Sequence, residues 1–177
     1  MKLSSHEEYG LRCLLQVAHQ GASGSATIPE ISRHEGISIA YVAKLMRMLR
    51  QAGFVKAARG KAGGYTLALP PEQICVGDAL TILGGRIYED DFCNRHSGTL
   101  TSCTHSTDCS VRSLWRAVQG AVDGILRKTT LRDLLSSDYD AVATSRLQSD
   151  LISLPARPKR GYIVGRNPGS AADPRVG

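Results

Sequence analysis

The chain has 177 residues, of which 42% are hydrophobic, and it carries a formal net charge of +6. This length can bury a core without disulfides, and no apolar run approaches the roughly 18 residues that could span a bilayer. No leader-like segment opens the chain either, so we expect a cytoplasmic protein that does not bind membranes. The charge supports nucleic-acid binding only weakly, because residues 141–177 alone carry six Lys and Arg against two Asp and Glu.

The first predicted helix is amphipathic. In the stretch EEYGLRCLLQVAHQ, apolar and small residues recur at the spacing of one helical face. The glycine- and serine-rich stretch GASGSA then ends the helix. The pattern predicts that this helix packs on a core through Gly10, Cys13, Leu14 and Val17.

Two short helices with a tight connection follow. Thr27 stands three residues before Glu30, which is the spacing of a reciprocal capping box. Gly36 is placed to end this helix, and Ser38 can cap the next one. Two helices joined in this way predict a helix-turn-helix.

The second of these helices, IAYVAKLMRMLRQAG, has two contrasting faces. The predicted buried stripe consists of Val42, Leu45, Met46 and Leu49. The opposite face consists of Ala40, Lys44, Arg47 and Gln51. A helix that reads the major groove needs small residues where it approaches the bases and longer donors beyond them. A solvated surface helix would carry similar residues, so this face alone leaves both interpretations open.

The stretch FVKAARGKAGGYTLAL predicts a β-hairpin. Two short alternating strands flank a glycine-bearing turn, and the tip carries Arg59 and Lys61. A helix-turn-helix followed by a basic hairpin makes a winged helix, whose wing can reach the DNA backbone or the minor groove. The alternative is an ordinary surface hairpin.

A long apolar seam lies further along the chain. After the break at Pro70 and Pro71, VGDALTILGG predicts a short helix. The seam then follows a polar segment and consists of Val111, Leu114, Trp115, Val118, Val122 and Ile125. Such a seam usually needs a partner, and symmetric dimerisation would also place two recognition helices on two half-sites. The alternative is that this helix folds back on its own domain.

These elements predict a mainly α fold with a small β-hairpin wing. We assign a winged helix-turn-helix DNA-binding domain to residues 1–85 and a cysteine loop to 86–110. A long dimerisation helix and a short terminal helix occupy 111–138. Residues 139–177 form a basic tail rich in Pro and Gly, a composition typical of disorder.

The five cysteines divide into two groups. Cys13 and Cys75 lie in apolar patterns and are expected to be small core residues. Cys93, Cys103 and Cys109 lie in the polar stretch CNRHSGTLTSCTHSTDC, where burial gives no reason for a thiol. Their spacing is wider than that of structural zinc sites and suits an iron-sulfur cluster. A metal-free thiol switch, a zinc site and inert thiols are the alternatives.

The order of these parts resembles the IscR/NsrR family of bacterial iron-sulfur transcription regulators. The matching stretches are MKLS, the recognition region that ends in YVAKLMRMLRQAGFV, the wing RGKAGGYTL, CSVRSLW and TTLRDLL. The resemblance covers about residues 1–135. It implies a homodimeric repressor or activator that binds a palindromic operator in double-stranded DNA.

In this resemblance the three loop cysteines, Cys93, Cys103 and Cys109, match the family's cluster ligands. We expect a 2Fe-2S cluster in preference to a 4Fe-4S cluster, with redox state, nitric oxide or iron status as the signal. The rival function is a winged-helix regulator that uses the same thiols as a metal-free disulfide switch. The family's DNA contacts carry over to Ser38, Ala40, Tyr41, Lys44 and the wing residue Arg59.

The resemblance leaves the fourth ligand to be chosen. Some members use a histidine three residues after the last cysteine, but that position here is Arg112, which cannot serve as a ligand. Other members use an acidic residue near the start of the partner subunit's first helix, and Glu8 matches it. His105 is the second choice, followed by His96 and then Glu7.

No catalytic signature accompanies these features. The chain lacks a recognisable nucleophile-base set, a phosphate-binding loop and a catalytic metal motif, so we do not expect an enzyme. A winged helix used only for protein docking is the remaining rival of another class.

Overall fold

The computed structural model describes residues 4–21, 24–58, 63–89, 91–101, 103, 105 and 109–136. In these ranges the protein is mostly helical, with one antiparallel pair of strands. None of the helices formed there is long and apolar enough to cross a membrane. The elements in chain order are α1 (Ser5–His19), α2 (Ile28–Glu35), α3 (Ile39–Gln51), β1 (Val55–Ala58), β2 (Gly64–Leu67), a 3-10 turn (Pro71–Gln73), α4 (Val76–Gly84), α5 (Phe92–Arg95), α6 (Ser110–Leu126) and α7 (Leu131–Leu135).

Local capping sets the ends of the two helices of the helix-turn-helix. The Thr27 backbone N–H donates to the Glu30 carboxylate at 2.8 Å, and the Thr27 hydroxyl accepts from the Glu30 N–H, which completes the predicted capping box. Gly36 ends α2 with φ of 67°, a conformation that favours glycine. The Ser38 hydroxyl accepts from the Tyr41 N–H and begins α3. The predicted helix-turn-helix is confirmed.

The core forms where α3 packs on α1. The predicted stripe of α3 is fully buried and belongs to the same cluster as Cys13, Leu14 and Val17 of α1. Gly10 lets α4 approach α1 closely, because a Cβ there would overlap the Leu83 side chain. Since one face of α3 is buried in this way, its opposite face is held outward.

The predicted hairpin is also confirmed. β1 pairs with β2 in a register that runs from Val55 opposite Leu67 to Ala58 opposite Gly64. Tyr65 exchanges two backbone hydrogen bonds with Ala26, of 3.0 and 2.8 Å, which attach the hairpin to the segment before α2. The tip at residues 59–62, and with it Arg59 and Lys61, lies outside the described residues.

The last helix returns to the core. Leu131 of α7 is fully buried, and its N–H donates to the Ile74 carbonyl at 2.8 Å. The Val76 N–H donates to the Thr129 carbonyl at 2.9 Å. The segment after α6 therefore closes the core of the winged-helix part, a contact that the sequence pattern did not predict.

The long helix α6 exposes most of its seam. Val111 and Leu114 are 59% and 58% exposed, and Trp115 and Ile125 are each 39% exposed. The helix contacts its own domain through a neighbouring face, where the buried Gln119 accepts a hydrogen bond from the Tyr88 N–H at 2.8 Å. In a single chain, these apolar side chains therefore face solvent.

The two cysteines outside the loop have different surroundings. Cys13 is fully buried, as predicted. Cys75 is only half-buried, and its thiol donates to the carbonyls of Leu126 and Arg127 at 3.5 and 3.9 Å. The predicted core position of Cys75 is therefore corrected, because the residue lies at the junction between the start of α4 and the end of α6. The predicted tail lies outside the described residues.

Candidate nucleic-acid interface and thiol site

The outward face of α3 is exposed along its whole length. Ala40, Lys44, Arg47 and Gln51 are all exposed, as the helical spacing predicts. Ser38 is exposed as well, although its hydroxyl already caps the helix. This face therefore combines a small residue near the helix start with two cations and an amide further along.

One exposed apolar residue on α3 was not predicted. Ile39, in the first turn, is 58% exposed although its side chain is large and apolar. Apolar side chains at this end of a recognition helix can contact the thymine methyl group in the major groove. The only feature of the sequence that could have identified Ile39 is that it is an apolar residue outside the predicted buried stripe.

Tyr41 is held by contacts within the chain. It is half-buried, and its hydroxyl lies 3.2 Å from the Ser5 hydroxyl. Its ring makes edge contacts with the rings of His6 at 5.4 Å and Tyr9 at 6.1 Å between centroids. Tyr41 therefore ties the start of α3 to the start of α1, and its role as a DNA contact stays a prediction.

A polar cluster fixes α2 against α1. The Arg12 Nε donates to one oxygen of the Glu35 carboxylate at 2.5 Å, and the Gln16 amide donates to the other at 2.6 Å. The Glu35 side chain is 9% exposed, so this pair is partly shielded from water. It sets the position of the end of α2 directly before the turn into α3.

The five thiols are all unpaired, and the three loop thiols are each half-buried. Cys93 lies on the short helix α5, which the sequence pattern did not predict. Cys109 caps α6, and its sulfur accepts a hydrogen bond from the Arg112 N–H at 3.3 Å. The Arg112 guanidinium donates to the His105 carbonyl at 3.3 Å. Arg112 thus connects the end of the cysteine segment with its middle.

Cys93 lies in an aromatic and cationic environment. The Tyr88 hydroxyl is 3.8 Å from the Cys93 sulfur. The Tyr88 ring packs against the Phe92 ring, and the Phe92 ring stacks on the His96 ring with the two centroids 4.0 Å apart. Hydrogen bonding to Tyr88 and then to Arg112 lowers the pKa of the Cys93 thiol. Burial instead raises the pKa of Cys13 to about 12. The loop thiol is therefore the more easily ionised of the two.

Three unpaired, half-buried thiols occur in one polar segment. Their sulfur atoms are the type of ligand that soft metals prefer. Within the described ranges, however, no three His, Cys, Asp or Glu side chains lie close enough together to hold a metal ion. The single chain therefore brings Cys93 and Cys109 to a common neighbour, Arg112, without assembling a complete ligand set.

The candidates for a fourth ligand differ in availability. Glu8 is exposed in the first turn of α1. Glu7 accepts from the Ser4 N–H at 2.7 Å in a capping box. His96 bonds through Nδ1 to the Phe92 carbonyl, and His105 is exposed. The structure therefore leaves Glu8 and His105 more accessible than Glu7.

We expect the loop thiol to react faster than the core thiol in reduced, metal-free protein. Alkylation of Cys93 should reach its plateau at a lower pH than that of an ordinary thiol, because the lowered pKa leaves more thiolate at each pH. Cys13 should stay unmodified until the fold opens. Replacing Tyr88 by Phe should move the Cys93 profile to higher pH. Site-resolved mass spectrometry measures all three effects. An unchanged profile in the Tyr88→Phe variant would show that Tyr88 does not lower the pKa of Cys93.

Comparisons with known proteins agree with this fold. Residues 3–137 match the family model described as Rrf2, an iron-dependent transcriptional regulator. The transcriptional regulator IscR of Aliivibrio salmonicida is 32% identical over 135 residues, which cover 76% of this chain and 77% of that protein.

Two solved structures show the same fold. The structure of T. potens IscR has a TM-score of 0.63 at 29% identity and covers 80% of this chain and 90% of that one. The oxidised form of Staphylococcus aureus CymR has a TM-score of 0.61 at 29% identity and covers 77% of this chain and 97% of that one. These relatives are regulators and not enzymes. The chain therefore belongs to the Rrf2 family of transcriptional regulators, and its winged helix is a DNA-binding fold.

Proposed function

We propose that this protein is a homodimeric cytoplasmic regulator whose affinity for a palindromic operator depends on an iron-sulfur cluster. The observation that carries the proposal is the group of three unpaired thiols in a polar segment that leads directly into α6. Packing in an apolar core does not explain why cysteines occur in such a polar segment. Binding an iron-sulfur cluster does explain it, because thiolates are the usual ligands of these clusters.

The outward face of α3 supports direct contact with DNA. Lys44 and Arg47 are exposed on a helix whose other face is fixed in the core. Ala40 allows the helix start to come close to the base edges, and the two cations reach bases or phosphates beyond it. The wing residues Arg59 and Lys61 are proposed to contact the backbone or the minor groove.

The cysteines Cys93, Cys103 and Cys109 are proposed to hold a 2Fe-2S cluster. When bound, the cluster supplies an electron-accepting centre that oxidants, nitric oxide or iron shortage can alter. The chain contributes the three thiolates, and Tyr88 and Arg112 orient Cys93. Glu8 of the partner subunit is our first choice for the remaining position, because it is exposed and Glu7 is engaged in a cap.

The exposed seam of α6 supports the dimer. Four large apolar side chains of this helix are more than a third exposed in the single chain, and they lie on one face. Burying them against a second copy removes apolar surface from water and gives the two recognition helices a two-fold relation.

A metal-free thiol switch is the second candidate. The lowered pKa of Cys93, caused first by hydrogen bonding to Tyr88, is typical of a thiol that reacts with oxidants. The likeness to an oxidised form of CymR adds support. Iron and acid-labile sulfide analysis combined with thiol titration separates the two candidates, because the switch would bind neither.

Replacing Lys44 by Gln should weaken DNA binding about tenfold, or about 1.4 kcal/mol, and reduce the salt dependence by about one counterion. The probe is a duplex selected from a random library with the wild-type protein, and titrations at several salt concentrations give the slope. Arg132→Gln removes the same charge from α7 and should leave both quantities unchanged. Equal effects of the two substitutions would contradict the assignment of the α3 face.

Replacing Cys103 by Ala should remove most of the iron and the visible absorbance of protein purified without oxygen, because one of three thiolates is lost. Cys75→Ser is the matched control, since a serine hydroxyl can still donate to the carbonyls that Cys75 contacts. Iron assay and visible spectra measure the result. Full absorbance in Cys103→Ala protein would show that this thiol is not a ligand.

Replacing Leu114 by Glu should shift the protein from dimer to monomer, because a charge would be buried in the proposed interface. Ala117→Glu places the same charge on the same helix outside the seam and should leave the dimer intact. Sedimentation equilibrium measures the association state. A Leu114→Glu variant that remains a dimer would place the interface elsewhere.

A further inference from the structure

Ile39 is an apolar residue that the core does not use. It lies in the first turn of α3 and is 58% exposed, whereas Ile37 and Val42 on either side of it are buried. Within α2 and α3, all of whose residues the structure describes, no other large apolar side chain is exposed to this extent. Packing inside the protein therefore does not explain an isoleucine at this position.

The residues around Ile39 fix the helix end and leave its side chain uncovered. The Ser38 hydroxyl accepts from the Tyr41 N–H, and the Tyr41 side chain turns towards α1, where its hydroxyl lies 3.2 Å from the Ser5 hydroxyl. Ala43 follows one turn later on the same side of α3 as Ile39, and its methyl group is too short to cover the isoleucine. Ile39 is thus held outward on a rigid end of the helix.

This helix end borders the basic face of α3. Ala40, Lys44 and Arg47 are exposed next to it, and α3 contains no acidic residue that would repel DNA. In a helix-turn-helix, the N-terminal residues of the second helix contact base edges in the major groove. The winged helix of this family is a DNA-binding fold, so Ile39 lies where base edges are expected to approach.

The chemistry of the base edges selects one contact for an isoleucine. In the major groove, thymine presents a C5-methyl group beside its polar atoms. Single exposed apolar residues are common on protein surfaces, but opposite a polar base edge such a side chain would leave donors or acceptors unpaired. A β-branched side chain in a helix is also stiff, so it loses little conformational freedom when it packs against a methyl group.

We propose that Ile39 is a specificity-determining residue that packs against the C5-methyl group of a thymine in the operator. The inference rests on the contact between α3 and DNA in the proposed function and is independent of the iron-sulfur cluster. It adds an apolar contact to the polar contacts assigned to Lys44 and Arg47. Removing either the isoleucine side chain or the thymine methyl group breaks this contact.

The test combines one change in the protein with one change in the DNA. The duplex selected with the wild-type full chain is remade with deoxyuridine in place of each thymine in turn, which removes only the methyl group. At one position, or at its two symmetry-related copies, uracil should weaken wild-type binding about fourfold per methyl group, or about 0.8 kcal/mol. Ile39→Ala should bind the thymine and uracil duplexes equally at that position.

Two control variants show whether the effect is specific to Ile39. Ile82 is 46% exposed on α4, so Ile82→Ala removes the same atoms from another exposed helix position and should keep the wild-type response to uracil. Lys44→Gln should weaken binding to both duplexes by the same factor. Alanine is a good helix former, so Ile39→Ala should keep its fold, which circular dichroism checks.

The outcomes separate this inference from the proposed function. A response to uracil that persists in Ile39→Ala would overturn it, because another group would then contact the methyl group. A wild-type protein that tolerates every replacement of thymine, or that selects a duplex without thymine, would also overturn it. In these cases weaker binding by Lys44→Gln would still support α3 as the contact with DNA. Equal effects of Lys44→Gln and Arg132→Gln would end both.

Discussion

The packing of α3 against α1 determines how the other elements of the fold are arranged. Val42, Leu45, Met46 and Leu49 are fully buried, and each such side chain contributes about 1.5–3 kcal/mol through the hydrophobic effect. Rotation of α3 would expose this stripe, so the core holds the basic face outward. The hairpin, α4 and α7 are then positioned around the same core.

The thiol segment and α6 form one structural unit. Cys109 is both the last loop thiol and the cap of α6, and Tyr88 contacts Cys93 with its hydroxyl and Gln119 with its backbone N–H. The far end of α6 contacts Cys75 at the start of α4, which packs on α1. A continuous path of packed elements therefore leads from the thiols to α3. Such a path transmits a signal only if its elements have two arrangements that the thiol site favours unequally.

Residues with strong local rules could be predicted from the sequence. The capping box of Thr27 with Glu30 depends only on residues three positions apart, as does the N-cap at Ser38. The two faces of α3 follow from helical geometry. Contacts between distant segments could not be predicted. Leu131 reaches the core through a chain reversal after α6, and Cys75 looks like a core residue in its apolar stretch although it borders α6. The cap at Cys109 is local but was missed as well, because cysteine is not among the residues that usually cap helices.

The most direct test of cluster-controlled DNA binding is the DNA affinity of one wild-type preparation measured before and after its cluster is removed. Both titrations use the same selected duplex, salt concentration and oxygen-free buffer, and sedimentation confirms that the association state is unchanged. Control of DNA binding by the cluster predicts dissociation constants that differ by at least about fivefold, the lower end of typical coupling between two sites. Equal affinities for the loaded and the cluster-free protein would contradict it.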